Sequence, residues 1–287
     1  MTRNIFLSSC AIIFAGIFFV INDAIINFLS SINIQFYHFI FYGTPAFIAF
    51  PIYLIFTGQF IIKMSSTNYW IPLIRGVLFA PMPLFTFIAL KNITLPEYTT
   101  LNMSSPLVAT LLAIFFLKEK LNKKRIISIS LVIIATIYLL FDFSSLPWVG
   151  FTLAFLWSIY NLLRKKISVE TDIGLLIESL FILPLAILFF YFIVQANQND
   201  FSLANPTLMA LIFLAGPMTV IPLFLYVKGV ELSGLGPSGM IFFITPTCQF
   251  LLGFFYYNEE FSLNKLISFI IIWIAVSIYL KDLYENN

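Results

Sequence analysis

Residues 105–125 read SPLVATLLAIFFLKEKLNKKR, and residues 245–265 repeat the same pattern as TPTCQFLLGFFYYNEEFSLNK. In each copy a proline is followed by an apolar run, a glutamate and a basic residue or stretch. The two prolines, Pro106 and Pro246, are 140 residues apart (246 − 106), as are the two glutamates (259 − 119). The pattern predicts a membrane helix that a proline interrupts near its middle, a short turn and a second membrane helix. The chain is therefore predicted to contain two copies of one membrane unit.

The composition is that of an integral membrane protein. Of the 287 residues, 61% are hydrophobic and only 10% are charged, against roughly 25% charged residues in a soluble domain, and the mean hydropathy is +1.00. Cys10 and Cys248 both lie inside hydrophobic runs. Their positions indicate neither a disulfide framework nor a thiolate metal site, and Cys10 is interpreted as a small apolar helix residue rather than a lipid attachment site.

The chain divides into ten predicted membrane spans. A spanning helix needs about 20 apolar residues, and charged residues, glycine, asparagine and proline mark the boundaries. The spans, numbered 1 to 10, are residues 5–29, 35–56, 69–90, 97–117, 124–141, 147–164, 172–195, 206–227, 235–257 and 262–280. The first span lacks a basic start followed by a small-residue cleavage site, so it is predicted to be a retained helix rather than a signal peptide. The expected fold class is an all-α integral membrane protein.

Basic residues predict the orientation of these spans. Most of the 15 lysines and arginines fall on the same side of the membrane as the N-terminus. The positive-inside rule therefore predicts that both termini lie in the cytoplasm. The expected location is the inner membrane. Because five spans separate the two copies of the repeat, spans 4 and 9 cross in opposite directions. The prediction is two inverted five-helix repeats, residues 1–142 and 143–287.

Inverted repeats predict a secondary transporter. Two similar halves can exchange conformations, which gives alternating access to a solute that binds between them near the midplane of the bilayer. Pro106 and Pro246 lie at about that depth and are predicted helix kinks that release backbone carbonyls into a cavity. The alternative is that proline is simply frequent in membrane helices. The phosphate-binding pattern GxxxxGK[ST] is absent from the sequence, which argues against direct use of ATP.

Charged and titratable residues within the spans are candidates for coupling or gating, because a central charge costs about 2.5–3.5 kcal/mol. Arg75 and Glu178 each lie about six residues, or roughly 9 Å, inside the cytoplasmic edge, so they are candidate partners; alternatively, Arg75 extends to the headgroups. Asp23 is roughly 27 Å into span 1 and is either a proton or cation site or an interfacial residue. His38, the sole histidine, titrates in the useful range or is interfacial.

Polar and aromatic residues at mid-depth form the candidate substrate site. Amides, hydroxyls and aromatic rings suit an amphipathic organic solute, although interhelical packing is the alternative explanation for them. No ring of carboxylates suggests a metal-ion path. The candidates are Asn102, Ser105, Trp157, Tyr160, Asn161, Met240, Phe243 and Gln249. Glu119 and Glu259 are assigned a structural role beside Asn122 and Ser262, the predicted N-caps of spans 5 and 10.

Several motifs resemble a known family. The Ser-Pro-Leu start at residue 105 and the LKEKL run at residues 117–121 resemble EamA domains of the drug/metabolite transporter superfamily. The second half is similar to the RarD subgroup in its runs YNLLRKK at 160–166, GLLIESL at 174–180 and LAGPMTVIPL at 214–223. The first half departs from that subgroup at residues 102–106, NMSSP, and its Asn22-Asp23 pair resembles helix 1 of S-adenosylmethionine carriers. The resemblance implies small-molecule export, facilitated transport or exchange.

The predicted function is transport, across the inner membrane, of a small polar or amphipathic metabolite such as an amino acid, a nucleoside-like or a drug-like compound. Export or exchange is expected, with uptake of a solute like S-adenosylmethionine as the alternative. An intramembrane lipid-modifying enzyme and a non-transporting scaffold are the other classes; the motifs HExxH and GxSxG are absent, and the loops are short. The expected partners are the solute and membrane lipids, without nucleic acid, metal or cofactor. The sequence leaves monomer and homodimer open.

Overall fold

The described part of the chain is helical and contains no strand. The computed structural model describes residues 2–32, 70–79, 82–92, 98, 104–118, 121–140, 148–165, 174–175, 177–178, 183–184, 187–188, 191–192, 194–195, 205–258 and 263–285. Its helices within these ranges are α1 Thr2–Ser31, α2 Trp70–Phe79, α3 Met82–Asn92, α4 Ser104–Leu117, α5 Lys123–Leu140, α6 Trp148–Lys165, α7 Pro206–Ala215, α8 Pro217–Ser233, α9 Leu235–Ile241, α10 Ile244–Phe255 and α11 Leu263–Glu285.

Four helical segments in this part of the chain are long and apolar enough to cross a membrane. They are Asn4–Leu29, Pro206–Ser233, Leu235–Phe255 and Leu263–Glu285, and Ser104–Leu117 and Gly150–Leu163 are shorter apolar helices. The all-helical membrane class is therefore established. The inverted ten-helix arrangement and the orientation of the termini stay predictions, and predicted span 2 lies outside the described residues.

Predicted span 9 consists of two helices, α9 and α10, and Pro246 explains the break between them. Proline has no N–H, so it cannot donate to the carbonyl of Phe242 four residues earlier. That carbonyl instead accepts from the N–H of Thr245 at 3.0 Å, and the α-helix resumes at Ile244. The interruption that the sequence predicted is present here, whereas residues 101–103, just before Pro106, are not described.

Helix α1 packs against α8, α9 and α10 through one of its faces, while residues such as Phe14 on its other face are exposed. Small residues allow the close approach, as is common between membrane helices. A Cβ atom placed on Gly229 of α8 would overlap the side chain of Ile12. Near the N-terminal end of α1, the hydroxyl oxygen of Ser8 lies 2.8 Å from the carbonyl oxygen of Gly229 and 2.7 Å from the hydroxyl oxygen of Ser233. We call these contacts the Ser8 seam.

Helices α5 and α11 form a second packing unit. Small residues such as Ala135 and Ala275 are completely buried in this unit. On their other faces, Ile134 and Ile274 are more than half exposed, as expected for side chains that contact lipid.

Asn122 links the ends of α5 and α11. Its side-chain oxygen accepts from the N–H of Arg125 at 2.9 Å, which confirms that Asn122 is the N-cap of α5. Its amide nitrogen also lies 2.6 Å from both carboxylate oxygens of Asp282 on α11. Arg125 Nε donates to Asp282 Oδ2 at 2.9 Å. One side chain therefore both begins a helix and joins it to the last described helix.

Replacing Asn122 by alanine is expected to lower the free energy of unfolding by about 1–2 kcal/mol, because it removes an N-cap and a hydrogen bond to a charged group. Asn122→Ser is the matched control: it keeps a capping oxygen but cannot reach Asp282, so its loss should be about half as large. Denaturant unfolding in detergent measures both changes. Equal stability of the native protein and the alanine variant would contradict the linking role.

Candidate functional site

A cavity of about 150 Å³ lies among the helices of both halves of the chain. Its walls combine aromatic rings with hydroxyl, amide and carboxylate groups. The described lining residues are Phe19, Asn22, Asp23, Ile26, Phe79, Met82, Thr86, Tyr98, Ser105, Leu153, Trp157, Thr219, Phe242, Thr245 and Pro246. Small-molecule sites have this character, with a largely apolar wall and a few placed polar groups.

The polar side of the cavity begins with neighbouring residues of α1. Asn22 and Asp23 are both buried and both line the cavity. Asp23 Oδ2 accepts from Gln249 Nε2 on α10 at 2.6 Å, whereas Asn22 Nδ2 makes only a long contact of 3.5 Å with Thr219 Oγ1. The helix α1 therefore presents an amide and a carboxylate to the cavity, and α10 fixes the orientation of the carboxylate.

Two buried oxygen atoms at this wall have no hydrogen-bond partner among the described residues. They are Asn22 Oδ1 and Thr245 Oγ1, and both residues line the cavity. A buried polar atom without a partner costs about 1–3 kcal/mol, and in native proteins such atoms are few. Other buried side-chain atoms that lack an aligned hydrogen bond lie away from the cavity, on Arg75, Thr136, Asn161 and Glu178. Only the two oxygen atoms above belong to described residues that line a space in which a bound molecule could supply the partner.

The aromatic side of the cavity is a packed cluster centred on Trp157 of α6. Its ring stacks on Tyr160 with centroids 5.8 Å apart and on Phe242 at 6.3 Å, and Phe19 meets it edge-on at 5.7 Å. Tyr226 supports the cluster from behind, 4.6 Å from Phe242. Trp157, Phe19 and Phe242 line the cavity, so a solute would meet three rings that already hold one another in place.

Arg75 and Glu178, which the depth argument paired, do form an ion pair. Arg75 Nη1 lies 2.7 Å from Glu178 Oε1, and both side chains are essentially inaccessible to solvent. The contact is ionic rather than an aligned hydrogen bond. Tyr160 donates to Glu178 Oε2 at 2.7 Å, and the Arg75 guanidinium lies 4.4 Å from the centre of the Tyr160 ring. Arg75 is completely buried and therefore does not extend to the headgroups.

The structure brings some of the predicted site residues together and places others elsewhere. Ser105 and Trp157 line the cavity, Gln249 holds Asp23, and Tyr160 lies behind Trp157. Asn161 donates to the carbonyl of Trp157 within its own helix at 2.8 Å. Met240 and Phe243 lie in the buried cluster with residues of α5 and α11 and are not among the lining residues. Asn102 and His38 lie outside the described residues.

Five residues on the polar and aromatic sides of the cavity lining were not among the site residues predicted from the sequence. Two of them carried a usable signal: Asn22 adjoins Asp23, and Thr245 adjoins the repeated proline Pro246. The others are Phe19, Thr219 and Phe242, which are common residue types in membrane helices, although Phe242 adjoins the candidate Phe243 and Thr219 lies in the run at residues 214–223.

Comparison with known proteins identifies the family of the chain. The EamA-like transporter family matches twice, over residues 2–141 and over residues 146–281. The chain belongs to the EamA-like transporter family. This confirms the resemblance to EamA domains, and the family is one of membrane transporters rather than enzymes.

Relatives of this EamA-like chain carry transporter or RarD names. The uncharacterized transporter YojE of Bacillus subtilis is 35% identical over 175 residues, which are 61% of this chain and 58% of the relative. Protein RarD of Escherichia coli is 32% identical over 178 residues, 62% of this chain and 60% of the relative. The chain thus matches about three fifths of the length of these relatives.

A solved structure shares the fold of this EamA-like chain. It is described only as the crystal structure of a protein and aligns with a TM-score of 0.68, covering 96% of this chain and 95% of its own. The sequence identity is 16%, so this likeness concerns the fold alone.

Proposed function

We propose that the protein is a secondary transporter that binds a small polar or amphipathic metabolite in the cavity beside Asp23 and Trp157. The main support for this proposal is that the residues lining the cavity come from both halves of the chain. Residues from Phe19 to Ser105 fall in the first segment that matches the EamA-like family, and residues from Leu153 to Pro246 fall in the second. A site between two related halves is where alternating access requires the solute to bind.

The contacts around the cavity suggest how access alternates. At 1.5 Å per residue, the 15 residues from Ser8 to Asp23 (23 − 8) span roughly 22 Å. The Ser8 seam therefore closes the N-terminal end of the α1–α8 interface well away from the cavity. With the N-terminus in the cytoplasm, as the basic residues predict, this conformation is closed towards the cytoplasm. The opposite state would separate the Ser8 seam and close the cavity on its other side.

The proposal assigns roles to the candidate residues. Ser105 and Trp157 contact the solute, Gln249 positions Asp23, and the Arg75–Glu178 pair joins α2 to the segment that contains Glu178. The break before Pro246 lets Thr245 and Phe242 face the cavity. Asn102 and His38 keep their predicted roles in solute binding and gating. The domains are residues 1–142 and 143–287, both termini are cytoplasmic, and the expected direction is export or exchange across an inner membrane.

Filling the cavity should abolish transport. In Thr86→Trp, an indole occupies the space that the solute would take, so we expect neither solute binding nor flux. The first measurement is a thermal shift of the purified protein across a library of small metabolites. A ligand that binds the folded state alone adds about 2.7 kcal/mol of stability at one hundred times its Kd. Solute counterflow in proteoliposomes then tests transport of the compounds that bind.

Phe115→Trp is the matched control, because it introduces the same side chain at a position on α4 that is 73% exposed. It should bind and transport solute as the native protein does. Stabilisation of Thr86→Trp and the native protein by the same solutes would place binding elsewhere. Solutes that bind in the cavity but show no counterflow would contradict transport and favour a scaffold or enzyme.

A further inference from the structure

We propose that the cavity selects solutes that carry a protonated amino group, which Asp23 and its neighbours bind. This inference rests on the proposed function, because it names the chemical class of the transported solute. Asp23 is the one acidic residue among the described residues that line the cavity, and none of them is basic. A cationic solute would therefore meet a complementary carboxylate there, whereas an anionic solute would meet a like charge.

The hydrogen-bonding groups at this wall favour a donor. Asn22 Oδ1 and Thr245 Oγ1 are buried without a partner among the described residues, and both line the cavity with Asp23. The Asn22 amide nitrogen is directed at Thr219 Oγ1, 3.5 Å away, so the amide oxygen is the atom that remains for a ligand. A primary ammonium group has three N–H donors and no acceptor. The carboxylate oxygen of Asp23 and the amide oxygen of Asn22 can both accept from such a group, and the Thr245 hydroxyl can accept or donate.

The aromatic wall fits the rest of such a solute. The rings of Phe19, Trp157 and Phe242 line the same cavity and can contact either an apolar group or a cation, since aromatic faces attract positive charge. A cavity of about 150 Å³ has the size of one known in another protein to hold benzene. The solute inside the cavity is therefore an amine whose enclosed apolar part is about the size of one ring.

Gln249 acts as a positioning residue in this scheme. Its amide donates to Asp23 Oδ2 at 2.6 Å, and it is completely buried. The bond holds the carboxylate at the cavity wall in one orientation. A competing explanation is that Asp23 binds only a proton and contributes nothing to solute choice. That explanation predicts equal binding of an amine and its neutral counterpart, so the two can be separated.

The test uses three probes that share one ring and differ in charge: 2-phenylethylamine, 2-phenylethanol and 3-phenylpropanoate. Their Kd values are measured by titration calorimetry on the full-length protein in lipid nanodiscs at pH 7. We expect the amine to bind at least about tenfold more tightly than the alcohol, because a hydrogen bond to a charged group contributes about 1.5–3 kcal/mol. The propanoate should bind most weakly.

Asp23→Asn should remove the preference for the amine and leave the Kd of the alcohol within about twofold, since the change preserves size and removes charge. Glu231→Gln is the control, a similar change at a largely exposed residue of α8 that pairs with Lys228, and it should keep the preference. Where Asp23→Asn does not fold, Asn22→Leu replaces it. Loss of the amide oxygen should weaken binding of the amine several-fold relative to the alcohol.

The outcomes separate this inference from the proposed function. The inference is wrong if the alcohol or the propanoate binds as tightly as the amine, if Asp23→Asn keeps the preference, or if no amine binds. In each case the transporter proposal still holds when another solute shows binding and counterflow that Thr86→Trp abolishes. Absence of any such solute would overturn both proposals.

Discussion

Replacing Glu178 by leucine is expected to lower the free energy of unfolding by about 3–5 kcal/mol, because it leaves the Arg75 guanidinium buried without its carboxylate. Both side chains are almost completely inaccessible in the native protein, so water cannot replace the lost partner. Tyr160 also loses the acceptor of its hydroxyl hydrogen bond. Chemical denaturation of the purified protein in detergent, followed by tryptophan fluorescence, measures the change.

The double variant Arg75→Met/Glu178→Leu is the control that isolates the unpaired charge. Apolar replacement of a complete buried ion pair is often neutral or stabilising, so the double variant should be more stable than Glu178→Leu by at least about 2 kcal/mol. If the two variants unfold at the same denaturant concentration, the loss would come from packing around Glu178 rather than from the charge of Arg75.

Truncation of Trp157 to alanine should cost about 3–5 kcal/mol of stability and weaken solute binding as well. The indole is the common neighbour of Phe19, Tyr160, Tyr226 and Phe242, so its removal leaves these rings around an enlarged space. Denaturant unfolding and the ligand-induced thermal shift measure the two effects on the same sample.

Trp148→Ala on the same helix is the matched control. Trp148 is 72% exposed, and a surface substitution of this kind changes stability by about 0.5 kcal/mol or less. Unchanged solute binding by Trp157→Ala would show that the aromatic cluster supports the fold without contacting the solute. Equal destabilisation by the two substitutions would contradict the packing role.

Properties that depend on composition or on position along a helix could be predicted from the sequence. The membrane class follows from hydropathy, and the break in span 9 follows from the missing N–H of Pro246. The Arg75–Glu178 pair could be predicted because the depth of a residue in a membrane helix follows from counting residues along the helix axis. Two charges at one depth in an apolar medium have a strong reason to meet.

Properties that depend on rotation around a helix axis could not be predicted. Asp23 and Gln249 were both candidates, but nothing in one sequence shows that α1 and α10 turn these side chains towards each other. The same limit explains Met240 and Phe243, which lie at mid-depth but pack towards α5 and α11. Asn22 and Thr245 were missed because an unpartnered oxygen becomes visible only when its surroundings are known.

Predicted span boundaries followed charges rather than backbone hydrogen bonds. Span 8 was expected to end at residue 227, just before Lys228, but α8 continues to Ser233. Lys228 and Glu231 lie one turn apart on that extension and form an exposed ion pair at 3.0 Å. Oppositely charged residues one turn apart can pair along one face of a helix, so Lys228 does not mark the end of α8.

The α5–α11 unit lies apart from the cavity, since none of the described lining residues belongs to either helix. Its buried face packs together with Met240 and Phe243, and the Asn122, Arg125 and Asp282 contacts join its two helices at one end. Substitutions of the described lining residues therefore change no residue of this unit. If the cavity is the solute site, substitutions around Asp23 would change which solute fits while every residue of α5 and α11 stays the same.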